Sequence, residues 1–531
     1  MNMRLLTLLS SVAIAIVAVA QTGIDSPMTR AVLKVYADQL QADPTDWDTW
    51  MRRANEYYNH NEYSRALNDV DNALKYIPVD NKDERFRAYM LRASIYQQTG
   101  RYADELIDLN AAIAIDQKSY IAVYQRANCH FELGNYADAK ADYKRLQRMN
   151  ARSVESLIGQ ARVAVKENNL GLANEMLDQA VSFDPANADY YVRRASVRKS
   201  MGNHQGAVED LLLALSTDSS NARATQALVD YGRENYPAVI SGLTSVIEQA
   251  PNVGMFVYLR AVIAQAHYNY VAAIADYQRI LDRNLSDYRG IYVSMAECQL
   301  ALCRYQEALD NVNHAISKDK NVASQYVLKS KILRVLGRSD EALSVAAKAT
   351  VLASGQSEPL VEMGLCYAGA ENYKEAVNLF GEVSMSHPDQ PESFMLRAWL
   401  LKSHLNQQVA ASGFYNHVAG LENFEATDVH SLRGFALLLN GKTDEAEAWM
   451  ANILNTVEDK DGYLNYMAAC FYSIKGDVDR ALACVEKSLA SGYANYYDWT
   501  MNVDGPINVS SLRNEARFKA MLLSKSAIFG R

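Results

Sequence analysis

Ser196-Val197-Arg198-Lys199 has the Ser-x-x-Lys spacing in which a lysine amine can activate a serine hydroxyl for acyl transfer. The partner motifs that a penicillin-binding enzyme would bring are missing from this chain, and the tetrapeptide falls inside an expected helix, so the match is coincidental. His404, His417 and His430 lack metal-ligand spacing. No Gly-rich phosphate loop, H-E-x-x-H, G-x-S-x-G or C-x-x-C occurs. The residues therefore predict no enzyme, no metal and no cofactor.

One charged pattern does recur. Arginine and aspartate stand sixteen residues apart at Arg53 and Asp69, Arg92 and Asp108, Arg126 and Asp142, Arg194 and Asp210, and Arg260 and Asp276. Every unit that has the aspartate also has the arginine, which predicts contact between two helices of a hairpin, because a half-buried guanidinium needs a carboxylate. A row of arginines serving an anionic ligand would leave the aspartates unexplained, so the pairs are read as structural.

The elements that position these pairs follow from a small residue and, twelve places later, alanine. The first members are Ala54, Ala93, Ala127, Ala161, Ala195, Ala227, Ala261, Ala296, Ser330, Gly364, Ala398, Gly434 and Ala469. Glu105 and Val239 replace the alanine in the second and sixth units. The period is about 34 residues. A glycine seven places after the small residue (Gly100, Gly134, Gly202, Gly337, Gly441, Gly476) ends one helix, and Pro78, Pro185, Pro251 and Pro388 end a second.

This spacing, together with "YQRANCHFELGNYADAKADY" and "MLRASIYQQTGRYADELIDL", resembles the tetratricopeptide repeat family from Trp47 to Leu489. The resemblance implies an all-α fold: a right-handed α-α superhelical solenoid of about thirteen helix hairpins with capping helices. It also implies a concave groove lined by first helices, where partners dock. Groove positions fall three before, one after and four after each small residue. They give Met51, Asn55, Tyr58; Met90, Ser94, Gln97; and Tyr124, Asn128, Phe131 in the first three repeats. A second aromatic patch follows at Met395, Trp399, Lys402; Ser431, Phe435, Leu438; and Tyr466, Cys470, Ser473. Relatives that clamp a chaperone's carboxylate tail use groove lysines, but Met51, Met90 and Tyr124 stand at that position, so the clamp is not expected. Asn55, Tyr58, Tyr124, Asn128, Phe131, Trp399 and Phe435 are the expected partner-binding residues, with a protein or peptide as ligand, and aromatic anchors suit that role.

The chain has 531 residues, 49% apolar and 22% charged, with net charge -9 and evenly spread basic residues, so nucleic acid is not an expected partner. Arg4, an apolar run and Ala18-Val19-Ala20 read as an export signal cleaved after Ala20, which predicts a periplasmic or secreted protein with no stable membrane insertion after cleavage. The expected organisation is signal 1–20, tether and N-terminal capping helix 21–46, repeats 1–6 over 47–252, repeats 7–13 over 253–492, and a cap over 493–531. In that cap Trp499, Asp504, Leu512, Arg513, Arg517 and Phe518 resemble the closing element of such arrays. Gly232, Pro237, Gly242, Pro251 and Gly254 mark repeat 6 as the weakest joint. Cys129, Cys298 and Cys366 sit in non-adjacent repeats and read as buried thiols, whereas Cys470 and Cys484 face each other across the last hairpin and could pair. The leading functional reading is an exported, non-catalytic scaffold or adaptor for an envelope or secretion-pathway protein. The alternative is a periplasmic holdase-type chaperone for unfolded clients. The pattern specifies no oligomeric state.

Overall fold

The computed structural model describes residue 24 and residues 26–285, 290–421, 432–502 and 504–530. The expected signal, 1–20, and His430 and Ser431 lie outside the described residues. Among the described residues there is no strand, and helices alternate in hairpins. Repeats 1 to 3 pair Trp47–Asn59 with Tyr63–Tyr76, Lys82–Gln98 with Tyr102–Ile115, and Tyr120–Glu132 with Tyr136–Met149. Repeats 4 to 6 pair Val154–Lys166 with Leu170–Phe183, Ala188–Ser200 with His204–Thr217, and Ala222–Glu234 with Tyr236–Gln249. Repeats 7 to 9 pair Gly254–Ala266 with Tyr270–Asp282, Ile291–Ala301 with Tyr305–Lys318, and Ala323–Val335 with Ser339–Leu352. Repeats 10 and 11 pair Ser357–Gly369 with Tyr373–Ser386 and Pro391–Ser403 with Gln408–Ala419. Repeats 12 and 13 pair Arg433–Leu439 with Thr443–Thr456 and Tyr463–Lys475 with Val478–Ala490.

Two compact units divide between Ala227 and Leu228, inside the first helix of repeat 6, one helix before the 252/253 boundary read from sequence. In the N-terminal unit Pro27–Ala42 is a further helix, capped by the Ser26 side chain accepting from the Thr29 amide, and it packs on the first helix of repeat 1 through Leu40.

Local sequence fixes where helices stop. Tyr76, Phe183, Gln249 and Ser386 each end a second helix two residues before Pro78, Pro185, Pro251 and Pro388. Between helices the chain turns through a left-handed residue, glycine at Gly100, Gly134, Gly202, Gly337, Gly441 and Gly476. Tyr268, Cys303 and Glu371 hold the same position at φ of 58°, 58° and 60°. That conformation costs a residue with a side chain about 1 kcal/mol.

The small residues are the core of each hairpin. Ala54 with Ala66, Ala127 with Ala139, and Ala261 with Ala273 are fully buried, and Tyr143 and Tyr277 fill the adjoining space. Two repeats depart from the expected register. In repeat 6 only Asn235 separates the helices, and Val229 is buried while Ala227 is half-buried. In repeat 11 the turn gains a residue, with Asn406 at φ 55°, so Ala411 rather than Ala410 is buried.

The five arginine and aspartate pairs lie across the hairpins. Arg53 Nε and Nη2 donate to Asp69 at 2.6 and 2.8 Å, Arg92 to Asp108 at 2.7 and 2.7 Å, and Arg126 to Asp142 at 2.7 and 2.8 Å. Arg194 Nη2 donates to Asp210 at 2.6 Å, and Arg260 to Asp276 at 2.7 and 2.6 Å. Most of these arginines also reach the preceding repeat: Arg92 Nη1 to Asp71, Arg126 Nη1 to Asn110, Arg194 Nη1 to Asp178, and Arg260 Nη1 to Thr244. This ladder of pairs thus ties five hairpins together, and four of them to the hairpin before.

None of the six cysteines forms a disulfide, and no bridge joins Cys470 and Cys484. Burial pushes the Cys129 and Cys366 thiols up to about 12, which keeps both protonated.

Candidate functional site

In the N-terminal unit the expected docking positions share the first-helix face of repeats 1 to 3. Asn55 is exposed, and Tyr58, Tyr124, Asn128 and Phe131 are half-buried. Asn55 Nδ2 donates to the Met51 carbonyl, and Asn128 Oδ1 accepts from the Tyr143 hydroxyl at 2.7 Å and from Arg162 Nη1 at 3.2 Å. Both carboxamides are therefore held in place by their own scaffold. The Arg162 guanidinium lies 4.0 Å from the Phe131 ring centre and pairs with Glu132 at 2.8 Å. The result is a neutral aromatic surface on rigid helices, with Met51 buried beneath it.

In the C-terminal unit much of the corresponding surface is covered. Met395, Phe435, Tyr466, Cys470 and Ser473 are buried, and Phe435 is 0% exposed. The expectation that Phe435 meets a partner is corrected here. Repeat 12 has glycine as its small residue, Gly434, and a Cβ there would sit 2.0 Å from Trp449 Cε3. Trp449 therefore comes close enough to pack edge-on against Phe435, and Phe471 closes the other side. Trp399 stays half-buried, edge-on to His404. Lys402 Nζ donates to the Leu439 carbonyl.

The chain's own closing segment supplies much of the cover. Ser511 hydrogen-bonds Ser473 at 2.6 Å, and Tyr493 and Trp499 pack on Tyr466 with ring centres 4.8 and 5.0 Å away. The segment also reaches well before the last repeat. Asp504 accepts from Arg334 Nη1 of repeat 9 at 2.5 Å and from the Tyr497 hydroxyl at 3.1 Å, and Lys331 Nζ is 3.8 Å from its carboxylate. Glu362 braces Arg334 from the other side at 3.1 Å. Burial pushes the Asp504 carboxyl up, but Arg334 and Lys331 outweigh it and hold the group below its ordinary value. Tyr493 also meets Tyr268 of repeat 7, and Thr500 lies 3.8 Å from Cys303 Sγ of repeat 8. Tyr268 and Cys303, two of the side-chain-bearing residues in left-handed turns, thus touch this segment. Trp499, Val509 and Leu512 are fully buried within it.

Among the described residues no cluster of His, Cys, Asp or Glu could hold a metal ion, and no helix is long and apolar enough to cross a membrane. Ser196 and Lys199 are exposed on one helix. Stacked helix hairpins with a face built from first helices define a helical-repeat scaffold.

Comparison with known proteins gives the family. Tetratricopeptide repeat models match residues 51–120, 124–188 and 188–221, and the model of the Psidin N-terminal TPR repeats region matches 292–419. The chain belongs to the tetratricopeptide repeat family. Human DnaJ homolog subfamily C member 7 is 22% identical over 364 residues, which is 66% of this chain and 69% of that protein. Among solved structures, yeast Tom70 is 16% identical, covering 76% of this chain and 96% of its own, with a TM-score of 0.34. YrrB, described as a TPR protein with an unusual peptide-binding site, is 18% identical, covering 37% and 98%, with a TM-score of 0.30.

Proposed function

We propose that this protein is a non-catalytic, exported scaffold or adaptor that docks a protein partner of the envelope or secretion pathway on the first-helix face of repeats 1 to 3. One observation carries this reading. Tyr58, Tyr124 and Phe131 remain partly exposed there, whereas Phe435 of repeat 12 and Tyr466, Cys470 and Ser473 of repeat 13, at matching positions, are buried among Trp449, Phe471 and the closing segment. Tyrosine and phenylalanine held on helices bring large contact area at low entropic cost, which favours a peptide or protein over a small molecule. Export rests on residues 1–20 as read from sequence.

The test is a crosslinking pull-down of the mature chain beside a Tyr124→Ala, Phe131→Ala variant with unchanged helicity. A scaffold yields one or two stoichiometric partners that the variant loses. A broad range of clients bound equally by both would instead support the holdase alternative.

A further inference from the structure

Arg397 stands at the ladder position of repeat 11, yet among the described residues no carboxylate pairs with it. Counting from the start of the second helix, the residue that is Asp142 in repeat 3 is Phe414 in repeat 11, because the longer turn shifts the register by one. The residue that is Asp71 in repeat 1 and Asp178 in repeat 4 is Gly381 in repeat 10. Both acceptors of the ladder are therefore missing at one arginine.

The guanidinium is nevertheless held firmly. Its Cζ is 4.4 Å from the Phe414 ring centre on one side. On the other it lies against Gly381, where a Cβ would come within 3.0 Å of Cζ. Phe394 extends the aromatic wall, 6.3 Å from Phe414 and 4.4 Å from His417. Arg397 Nε is buried without a hydrogen-bond partner, and it is the atom that donates to the aspartate in the five paired repeats. Nη1 and Nη2 are neither buried nor hydrogen-bonded among the described residues, so the terminal edge of the fork is open. Burial pushes the guanidinium below its ordinary pKa, with no acid among the described residues offsetting it. A half-buried arginine without a counter-ion is costly, and a planar, immobilised fork is the geometry that takes a carboxylate in two parallel hydrogen bonds.

We propose that Arg397, clamped between Phe414 and Gly381 with its Nη edge open, is a binding site for an external carboxylate, which takes the part that aspartate plays in the other repeats. The carboxylate comes from an acidic side chain of a partner or from a small carboxylic acid. This site is separate from the aromatic face of repeats 1 to 3 and stands if that reading fails.

The experiment is isothermal titration calorimetry of the full mature chain at fixed ionic strength with three probes: succinate, the peptide acetyl-(Glu)4-amide, and inorganic phosphate. Arg397→Lys keeps the charge but loses the two-pronged geometry, and Arg397→Met keeps the apolar stem. Phe414→Asp restores the internal partner. Carboxylate binding that weakens at least about tenfold in Arg397→Lys and vanishes in Phe414→Asp is the expected result. Tighter binding of the peptide than of succinate assigns the carboxylate to a macromolecule, and equal affinity per carboxylate assigns it to a small acid. No binding to the wild-type chain, equal binding by the variants, or binding of phosphate alone overturns the proposal. Should Arg397→Met lose helicity, the Arg397→Lys comparison decides.

Discussion

Asp504→Asn is the sharpest probe of the closing segment. The Arg334 side chain is 10% exposed and is bonded to Asp504 at 2.5 Å and to Glu362 at 3.1 Å. Breaking a buried ion pair outright costs about 3–5 kcal/mol. Here Glu362 keeps part of the compensation, the new amide keeps an acceptor oxygen, and Lys331 loses a partner 3.8 Å away. The expected loss is therefore about 2 kcal/mol. Its pH dependence has a definite sign. Asp504 is held below its unfolded pKa, so the stabilisation is fully present above the ordinary carboxylate range and is lost as pH falls through the depressed value. Wild type and variant should differ at pH 7 and converge only as pH falls through the depressed Asp504 value, below the ordinary carboxylate range. The assay is urea unfolding followed by circular dichroism and by tryptophan fluorescence, because Trp499 is fully buried in the same segment. Midpoints at pH 7 that agree within about 0.5 kcal/mol, with unchanged proteolysis of residues 493–530, would refute the reasoning.

Three further outcomes are expected. Glu105 takes the place of the hairpin alanine, is 1% exposed, and its carboxyl is pushed up to about 7, chiefly by burial. Because that folded value lies above the unfolded one, Glu105→Gln should stabilise the chain at pH 8 by about 1–3 kcal/mol, with the gain fading as pH falls toward 4.5; an equal effect at both pH values would contradict this. Glu371→Gly should raise stability by about 1 kcal/mol, since Glu371 is exposed at φ 60°, and a loss in thermal unfolding would count against it. In a double-mutant cycle, Arg126→Met and Asp142→Ala should couple by more than about 0.5 kcal/mol, whereas additive losses would remove the ladder from the account.

The hairpins were legible because their signals are local. A small-residue pair, a turn glycine and a terminal proline each act within one repeat, and the spacing of Arg126 and Asp142 follows from the length of a hairpin. Register was legible only where the turn keeps its length. The extra residue around Asn406 moved burial from Ala410 to Ala411 and set Phe414 beside Arg397. The burial of Phe435 was not legible, because it depends on Trp449 entering the space above Gly434 and on Phe471 of the next repeat. The reach of the closing segment to Arg334 spans 170 residues and leaves no periodic trace. One signal is local to the segment: the aromatic run Tyr493 to Trp499.

Site-specific photocrosslinking tests the central claim most directly. Benzoylphenylalanine placed at Tyr58, Tyr124 or Phe131, and separately at Trp399 and Tyr497, reports which surface a partner covers in the native cell. The account predicts one dominant adduct from the three positions in repeats 1 to 3 and none from Tyr497, which is 3% exposed. The same adduct from Trp399 alone, with Tyr58, Tyr124 and Phe131 silent, would contradict it.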